Sequence, residues 1–271
     1  MRKIGAGHKS EVFARPDGSI LKLFVAEFVA LAPIEVEISQ MLERAGVAAP
    51  RATELVTIDG RPGIVFAGLR VGETLSQAVR SRPWRILGAA QELAELHAAV
   101  HRCVSSELPS QRERLEAEIR GAVAVPIEVR DAALSELAAL PDGRTVCHND
   151  IHMLNVIVDR EGSMLIDWVL ATRGNPLADV AAAVLQLRFG EQPRGFVART
   201  ALEAGRAAFW RAYLHRYLKL RPSNLAELAR WELPVAVGFA GRREGRMQQQ
   251  LLARIRTLFA DAGGRQTAVA P

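Results

Sequence analysis

The stretch VCHNDIHMLNVIV, residues 146–158, followed by MLIDW at 164–168, breaks a long helical pattern and decides how the chain is read. It holds a short apolar strand, a loop rich in His, Asn and Asp, and two more short strands around the turn from Asp159 to Gly162. In the loop Asp150 and Asn155 stand five residues apart, and Asp167 ends the next apolar strand. A single Asp or Asn in a loop is ordinarily a turn or cap residue. His148, Asp150, Asn155 and Asp167 in this order and spacing form a more specific set.

Those residue types suit phosphoryl transfer. That reaction needs a carboxylate beside the attacking hydroxyl and oxygen ligands that hold magnesium against a triphosphate. The order is that of H-x-D-x-x-x-x-N followed by an Asp.

A second element lies near the start, IGAGHKSEV at 4–12. It matches G-x-G-x-x-G-x-V with Ser10 at the third glycine position. Gly5 and Gly7 between two strands let backbone N–H groups approach phosphate oxygens. The Walker pattern fails, because Gly-Lys-Ser is absent and a strand follows. Lys22 lies mid-strand between Leu21 and Leu23, placed to reach phosphates, and Glu35 or Glu37 on the next helix is placed to pair with it.

Further outward, Ser10–Arg15 and Ile20–Val25 flank a Pro-Asp-Gly-Ser turn and read as a hairpin. Helical spacing runs from Glu27 to about Ala45, with Ile34, Ile38, Met41 and Leu42 apolar, and stops at Gly46. Strands are expected near 54–58 and 63–67, and helices at 84–104, 111–122 and 126–140 and from Pro176 almost to the end. In the first of these helices Leu87, Leu93, Leu96 and Val100 fall on or near one face. The pattern predicts an α+β chain in two lobes. A small strand-rich lobe with one helix covers 1–70, a larger helical lobe covers 71–262, and a frayed tail covers 263–271.

Of the 271 residues 49% are apolar and 24% charged, ordinary for a globular protein. No run approaches the ~18 apolar residues of a membrane span, and no signal-peptide stretch opens the chain, so a cytoplasmic protein is expected. Cys103 and Cys147 lie outside any metal-binding spacing and read as buried reduced thiols. Residues 181–271 carry 15 Arg and Lys against 6 Asp and Glu, a net of +9. Without aromatic interleaving or a long basic block, that surplus reads as solvated helix faces.

Taken together, the motifs resemble the aminoglycoside phosphotransferase and choline-kinase-like group within the protein-kinase-like fold. His148 to Asn155 resembles its H-G-D-x-H-x-x-N motif, with Asn149 where Gly is usual. Ile166-Asp167-Trp168 resembles its I-D-W, and Asn175 to Asp179 the segment that follows. The Leu96-His97 pair is similar to another family feature, and the resemblance covers about residues 4 to 182. It implies Asp150 as the base, Asn155 and Asp167 as Mg2+ ligands, and Lys22, steadied by Glu35, on the phosphates of ATP or GTP. The loop from Gly5 through Gly7 to Ser10 would cover those phosphates, and the backbone of Phe66, Ala67, Gly68 and Leu69 would meet the base. Glu35 is preferred to Glu37 because it precedes Leu42 by seven residues, as in the family. His148 and Asp179 are expected to hold the loop, and His152 to be a hydrogen-bonded loop histidine. Only 11 residues separate Asp167 from Asp179, too few for a long activation segment, so a small acceptor is expected rather than a protein.

An aminoglycoside is a polycation and needs converging carboxylates. The C-terminal helices offer few, while Arg242, Arg243 and Arg246 cluster, so a neutral or anionic hydroxyl compound is expected. The alternatives are an aminoglycoside-resistance kinase, a nucleotide-binding regulatory module without transfer, and a nucleic-acid binder using the basic helices. Neither nucleic acid, membrane nor an obligate protein partner is expected.

Overall fold

The structure, a computed structural model, describes residues 1–69, 71–190 and 196–267, with side chains outside 196–202 and 262–267. The expected hinge ends at Leu69; Arg70, at the boundary of the two expected lobes, lies outside the described residues, as do 268–271 of the expected tail.

Five antiparallel strands form the N-terminal sheet: β1 (Arg2–Ala6), β2 (Ser10–Ala14), β3 (Ile20–Phe24), β4 (Arg51–Ile58) and β5 (Arg61–Ala67), in the order β1-β2-β3-β5-β4. The Asp17-Gly18 turn closes β2 on β3, with Gly18 at φ 82° and Asp17 Oδ1 accepting from the Ser19 amide at 3.0 Å. Helix α1 (Leu31–Arg44) crosses between β3 and β4 and ends at Gly46, whose φ of 70° suits a residue without Cβ. It begins four residues later than the periodicity predicts, because Ala26–Phe28 forms a 3-10 turn instead. Phe24, Ala32, Ile64 and Phe66 pack between the sheet and α1. The other end of α1 buries Ile38 and Leu42 in the larger core, so this one helix is built into both parts.

The rest is mainly helical: α2 (Leu75–Ser81), α3 (Ile86–Val100), α4 (Gln111–Arg120), α5 (Ile127–Ala139), α6 (Pro176–Phe189), α7 (Phe196–Leu220), α8 (Leu225–Arg242) and α9 (Gly245–Thr267). Two clusters hold it. One joins α1, α2, α3 and α7 through residues such as Leu42, Leu75, Leu93 and Phe209; the other joins α4, α5, α6, α8 and α9 around Trp231, Phe239 and Leu251. Full burial of an aliphatic or Phe side chain contributes about 1.5–3 kcal/mol, so these clusters fix how the helices present the loop between them. Leu87 and Ile34, assigned to apolar faces by spacing, are exposed. Their flanks fall at the solvent edge of helices only partly covered.

The island from 145 to 167 is β7 (Thr145–Cys147), β8 (Val156–Val158) and β9 (Ser163–Leu165). Two short strands that periodicity did not show complete it. β6 (Glu73–Thr74) pairs with β8, and β10 (Thr172–Gly174) pairs with β7. Segments of two and three residues carry no readable period. The last helix runs to Thr267, past the start of the expected tail at 263.

Candidate active site

Lys22 projects from β3, a strand whose Ile20, Leu21, Leu23 and Phe24 are all buried. Its Nζ donates to both carboxylate oxygens of Glu35 on α1, each at 2.8 Å, and lies 3.4 Å from Asp167 Oδ1. Burial works against the ammonium charge, but Glu35 and then Asp167 outweigh it and raise the Lys22 pKa. Glu35, not Glu37, is the partner: its side chain is 7% exposed and faces the strand.

Asp150 follows β7 in the loop. Asn155 Nδ2 donates to the Asp150 backbone oxygen at 2.9 Å and to Asp150 Oδ2 at 3.1 Å. The amide nitrogen end of Asn155 is thereby turned to Asp150, leaving Oδ1 on the other side as an oxygen donor. Asn155 also binds the Asp167 segment, since its backbone oxygen accepts from the Ile166 amide at 2.9 Å. Asp150 and Asn155 are thus in contact, and the segment that carries Asp167 is tied to Asn155 on one side and to Lys22 on the other. Hard oxygen donors of this kind, a carboxylate and an amide oxygen beside a second carboxylate, suit Mg2+.

Two side chains face Asp150 itself. His152 Nε2 lies 3.6 Å from Oδ2, while its Nδ1 accepts from the Leu154 amide at 3.3 Å, which puts the ring proton on Nε2. Arg243, the residue that caps α8, places Nη2 3.3 Å from Asp150 Oδ1. Burial alone would raise the Asp150 carboxyl. His152, then His148 and Arg243, more than offset it and hold the group below the ordinary carboxylate range.

Beneath the loop lies a fully buried brace. Asn175 caps α6, Pro176 opens it, and Asp179 follows in its first turn, at the positive end of the helix dipole. Asp179 Oδ2 accepts from the His148 amide at 2.5 Å and Oδ1 from the Asn149 amide at 2.8 Å. His97 in the last turn of α3 and His101, the residue that caps it, bring Nε2 to 3.1 and 3.3 Å from Asp179 Oδ2. Their Nδ1 atoms meet the hydroxyls of Tyr213 and Tyr217 on α7, each at 2.6 Å. Burial, countered by the imidazoles of His97 and His101, leaves Asp179 well below the usual carboxylate pKa. His148 points its Nε2 at the Ile166 carbonyl, 3.1 Å away, tying the loop to the Asp167 segment.

Asn149 sits at φ 62°, where Asn is tolerated and most other residues are strained. Its Nδ2 donates to the Leu170 carbonyl at 2.9 Å and Thr172 Oγ1 at 2.8 Å, and its Oδ1 accepts from Gln111 at 3.2 Å. Asp167 shares the same left-handed backbone, at φ 62°.

Gly7 N–H is engaged with the Ser10 carbonyl at 2.8 Å, and Ser10 is buried where β2 begins, paired with Phe24. A Cβ on Gly7 would meet only that carbonyl, at 4.0 Å, so the loop's outer side is open for a ligand to approach closely. Phe66 and Ala67 end β5, and Gly68 turns the chain at φ 77° before Leu69. The residues that spacing did not single out are Gln111, His101, Tyr213 and Tyr217. The i, i+4 pairs His97/His101 and Tyr213/Tyr217 on two otherwise apolar helix faces were the available signal.

A small antiparallel sheet with a Lys–Glu pair, set over a helical body with an Asp/Asn/Asp cluster at the junction, is the architecture of the protein-kinase-like fold. The chain belongs to the phosphotransferase enzyme family (APH), whose profile matches residues 1–231. Among solved structures it is similar to a thermostable mutant of the aminoglycoside phosphotransferase APH(4)-Ia in its apo form, at 15% identity and TM-score 0.65 over 97% of this chain and 94% of that one. It is also similar to aminoglycoside-3'-phosphotransferase of type VIII, at 21% identity and TM-score 0.58 over 87% and 90%. A third is the amicoumacin kinase hAmiN in complex with AMP-PNP, Ca2+ and Ami, at 14% identity and TM-score 0.61 over 96% and 87%. At these identities the likeness is one of fold. No curated protein matches the sequence.

Proposed function

We propose that the protein is a small-molecule kinase that moves the γ-phosphoryl of ATP or GTP to a hydroxyl, with residues 1–70 forming the nucleotide lobe and 71–262 the acceptor lobe. The observation that carries this reading is the convergence of Lys22, Asp167, Asn155 and Asp150 from three separate parts of the chain. Support comes also from related folds. One APH(4)-Ia mutant was solved with AMP-PNP and hygromycin B, and hAmiN with AMP-PNP and Ca2+.

In this reading Lys22, held by Glu35, neutralises phosphate oxygens, and the loop from Gly5 to Ser10 lies over them. Asn155 Oδ1 and Asp167 are the oxygen ligands for Mg2+. The backbone from Phe66 to Leu69 meets the nucleobase. Bound there, the nucleotide and its metal supply the phosphoryl group and much of the charge stabilisation of its transfer. Asp150 orients the acceptor hydroxyl and takes its proton, and Asn155 and His152 fix the carboxylate's rotamer. The brace at Asp179 holds the His148 and Asn149 amides, and through them the direction in which Asp150 points. The reading places the enzyme in the cytoplasm, where nucleoside triphosphates are abundant and thiols such as Cys103 and Cys147 stay free. Among the described residues no helix is long and apolar enough to cross a membrane.

The test is nucleoside-diphosphate release with magnesium over a panel of hydroxyl compounds, with Asp150→Ala in parallel. Turnover with one acceptor and a fall of roughly 10²-fold or more in the variant is expected. Turnover unchanged in Asp150→Ala would overturn the assignment of the base.

A further inference from the structure

The group that faces the proposed base is a guanidinium, and this bears on the acceptor's charge. The inference rests on the kinase reading above. Arg243 caps α8 immediately before the turn at Gly245, φ 63°, that starts α9. Its Nη2 is 3.3 Å from Asp150 Oδ1, and its Nε is buried with no hydrogen-bond partner among the described residues. Nε and Nη2 form the side-on edge of the guanidinium fork, the edge that takes a carboxylate or phosphate with two parallel hydrogen bonds. Only one end of that edge is engaged, by a single carboxylate oxygen at the long limit of a charge-assisted bond.

Arg243 stands beside acids and arginines that pair with one another, and its own guanidinium lies 5.8 Å from the centre of the Phe239 ring. Arg242 lies 3.2 Å from Glu118, which also takes Arg114 at 2.8 Å, and the Arg242 guanidinium packs 4.4 Å from the centre of the Phe239 ring. Glu232, about three turns back along α8, is committed to Arg188 and Arg254, at 3.1 and 2.7 Å. Glu118 and Glu232 are thus both paired with arginines of the protein itself. A cationic acceptor seated at Asp150 would lie against the Arg243 guanidinium, 3.3 Å from Oδ1.

We infer that the acceptor is an anionic hydroxyl compound, bearing a carboxylate or phosphate, and that Arg243 is the residue that recognises its oxyanion. Turning the guanidinium outward onto an oxyanion frees the Nε–Nη2 edge and satisfies the Nε–H that is otherwise buried. It also draws Nη2 from Asp150, so the carboxylate is released for the acceptor hydroxyl only when an acceptor of the right charge is present. Arg243 is then both the specificity determinant and a check on transfer to water.

The experiment is binding of named probes to the full chain saturated with Mg2+ and AMP-PNP, at constant ionic strength. The probes are D-glycerate and sn-glycerol 3-phosphate as anions, glycerol as the neutral control, kanamycin as the cation and sulfate as a non-hydroxylic anion. At least one hydroxy-anion binds the wild type more tightly than sulfate. That affinity falls tenfold or more in Arg243→Ala and is partly kept in Arg243→Lys. AMP-PNP affinity is unchanged in both variants, which shows that they fold. Kanamycin binding as tight as the anions, anion binding unchanged in Arg243→Ala, or no hydroxy-anion bound better than sulfate each overturns the inference. Absence of AMP-PNP binding that depends on Asp167 would instead sink the kinase reading itself.

Discussion

Lys22 Nζ stands 2.8 Å from both carboxylate oxygens of Glu35 and 3.4 Å from Asp167 Oδ1, so one ammonium joins the sheet, α1 and the segment after β9. Structural and functional roles of such a pair are separable. Lys22→Met leaves Glu35 buried and unpaired, and breaking a buried pair in this way costs about 3–5 kcal/mol. Lys22→Met combined with Glu35→Gln restores much of that stability. Denaturant melts are expected to show the recovery, while nucleotide titration of the double variant shows affinity still lost. Recovery of both together would mean that Lys22 only stabilises the fold.

Asp150→Asn preserves size and the contact with Asn155 but removes the proton acceptor. Single-turnover transfer should fall about 10²- to 10⁴-fold, while AMP-PNP affinity changes little. A parallel loss of nucleotide affinity would place Asp150 among the nucleotide's ligands instead.

Asn149 occupies a position where the backbone is left-handed and the side chain makes four hydrogen bonds. Asn149→Gly keeps the backbone and loses the bonds, leaving Gln111 Nε2 without that acceptor, at a cost of about 1–3 kcal/mol. Asn149→Ala loses the bonds and adds roughly 1–2 kcal/mol of backbone strain. The expected order in urea melts is wild type, then Gly, then Ala. Equal losses for Gly and Ala would show that the φ of 62° carries no strain for Ala.

The brace predicts a direction of pH dependence. Burial, and after it the neighbouring His97, pushes the His101 pKa down to about 3, and burial lowers His148 as well. In the unfolded chain both titrate near ~6.5. Below that pH the unfolded state binds protons that the folded state refuses. The contribution is therefore fully present above about pH 6.5 and is lost as pH falls toward the folded values, at up to about 1.4 kcal/mol per unit per histidine. Asp179, held low when folded, adds a further loss below about pH 4. Urea melts from pH 7.5 to 5 should show stability falling steadily, with a shallower slope in His101→Gln. Flat stability across this range would contradict the neutral, buried assignment.

The island at 145–167 was legible because the candidate chemistry depends on residue identity at fixed spacing: Asp150, Asn155 and Asp167 could be proposed before any contact was known. The hairpin and most of the helices were legible from alternation, turns and periodicity. What stayed hidden depends on tertiary contact. The strands β6 and β10 are too short to show a period, and their pairing with β8 and β7 comes from partners 83 and 25 residues away at Thr74–Ile157 and Thr172–Cys147. The brace joins α3, α6 and α7, and although the His and Tyr pairs recur at helical spacing, nothing local says that His101 meets Asp179 or that Tyr217 meets His101. Arg243 stood out only as one of a basic cluster. Its place against Asp150, 93 residues earlier in the chain, follows from how α8 packs on α4 and α6.

The central claim, phosphoryl transfer through Asp150 to a small hydroxyl acceptor, is tested most directly with γ-labelled ATP, magnesium and a deproteinised metabolite extract. The account predicts label appearing in a small organic product with wild-type protein and at least about 100-fold less with Asp150→Ala. Label released only as inorganic phosphate, or the same labelled product in equal amount with Asp150→Ala, would contradict it.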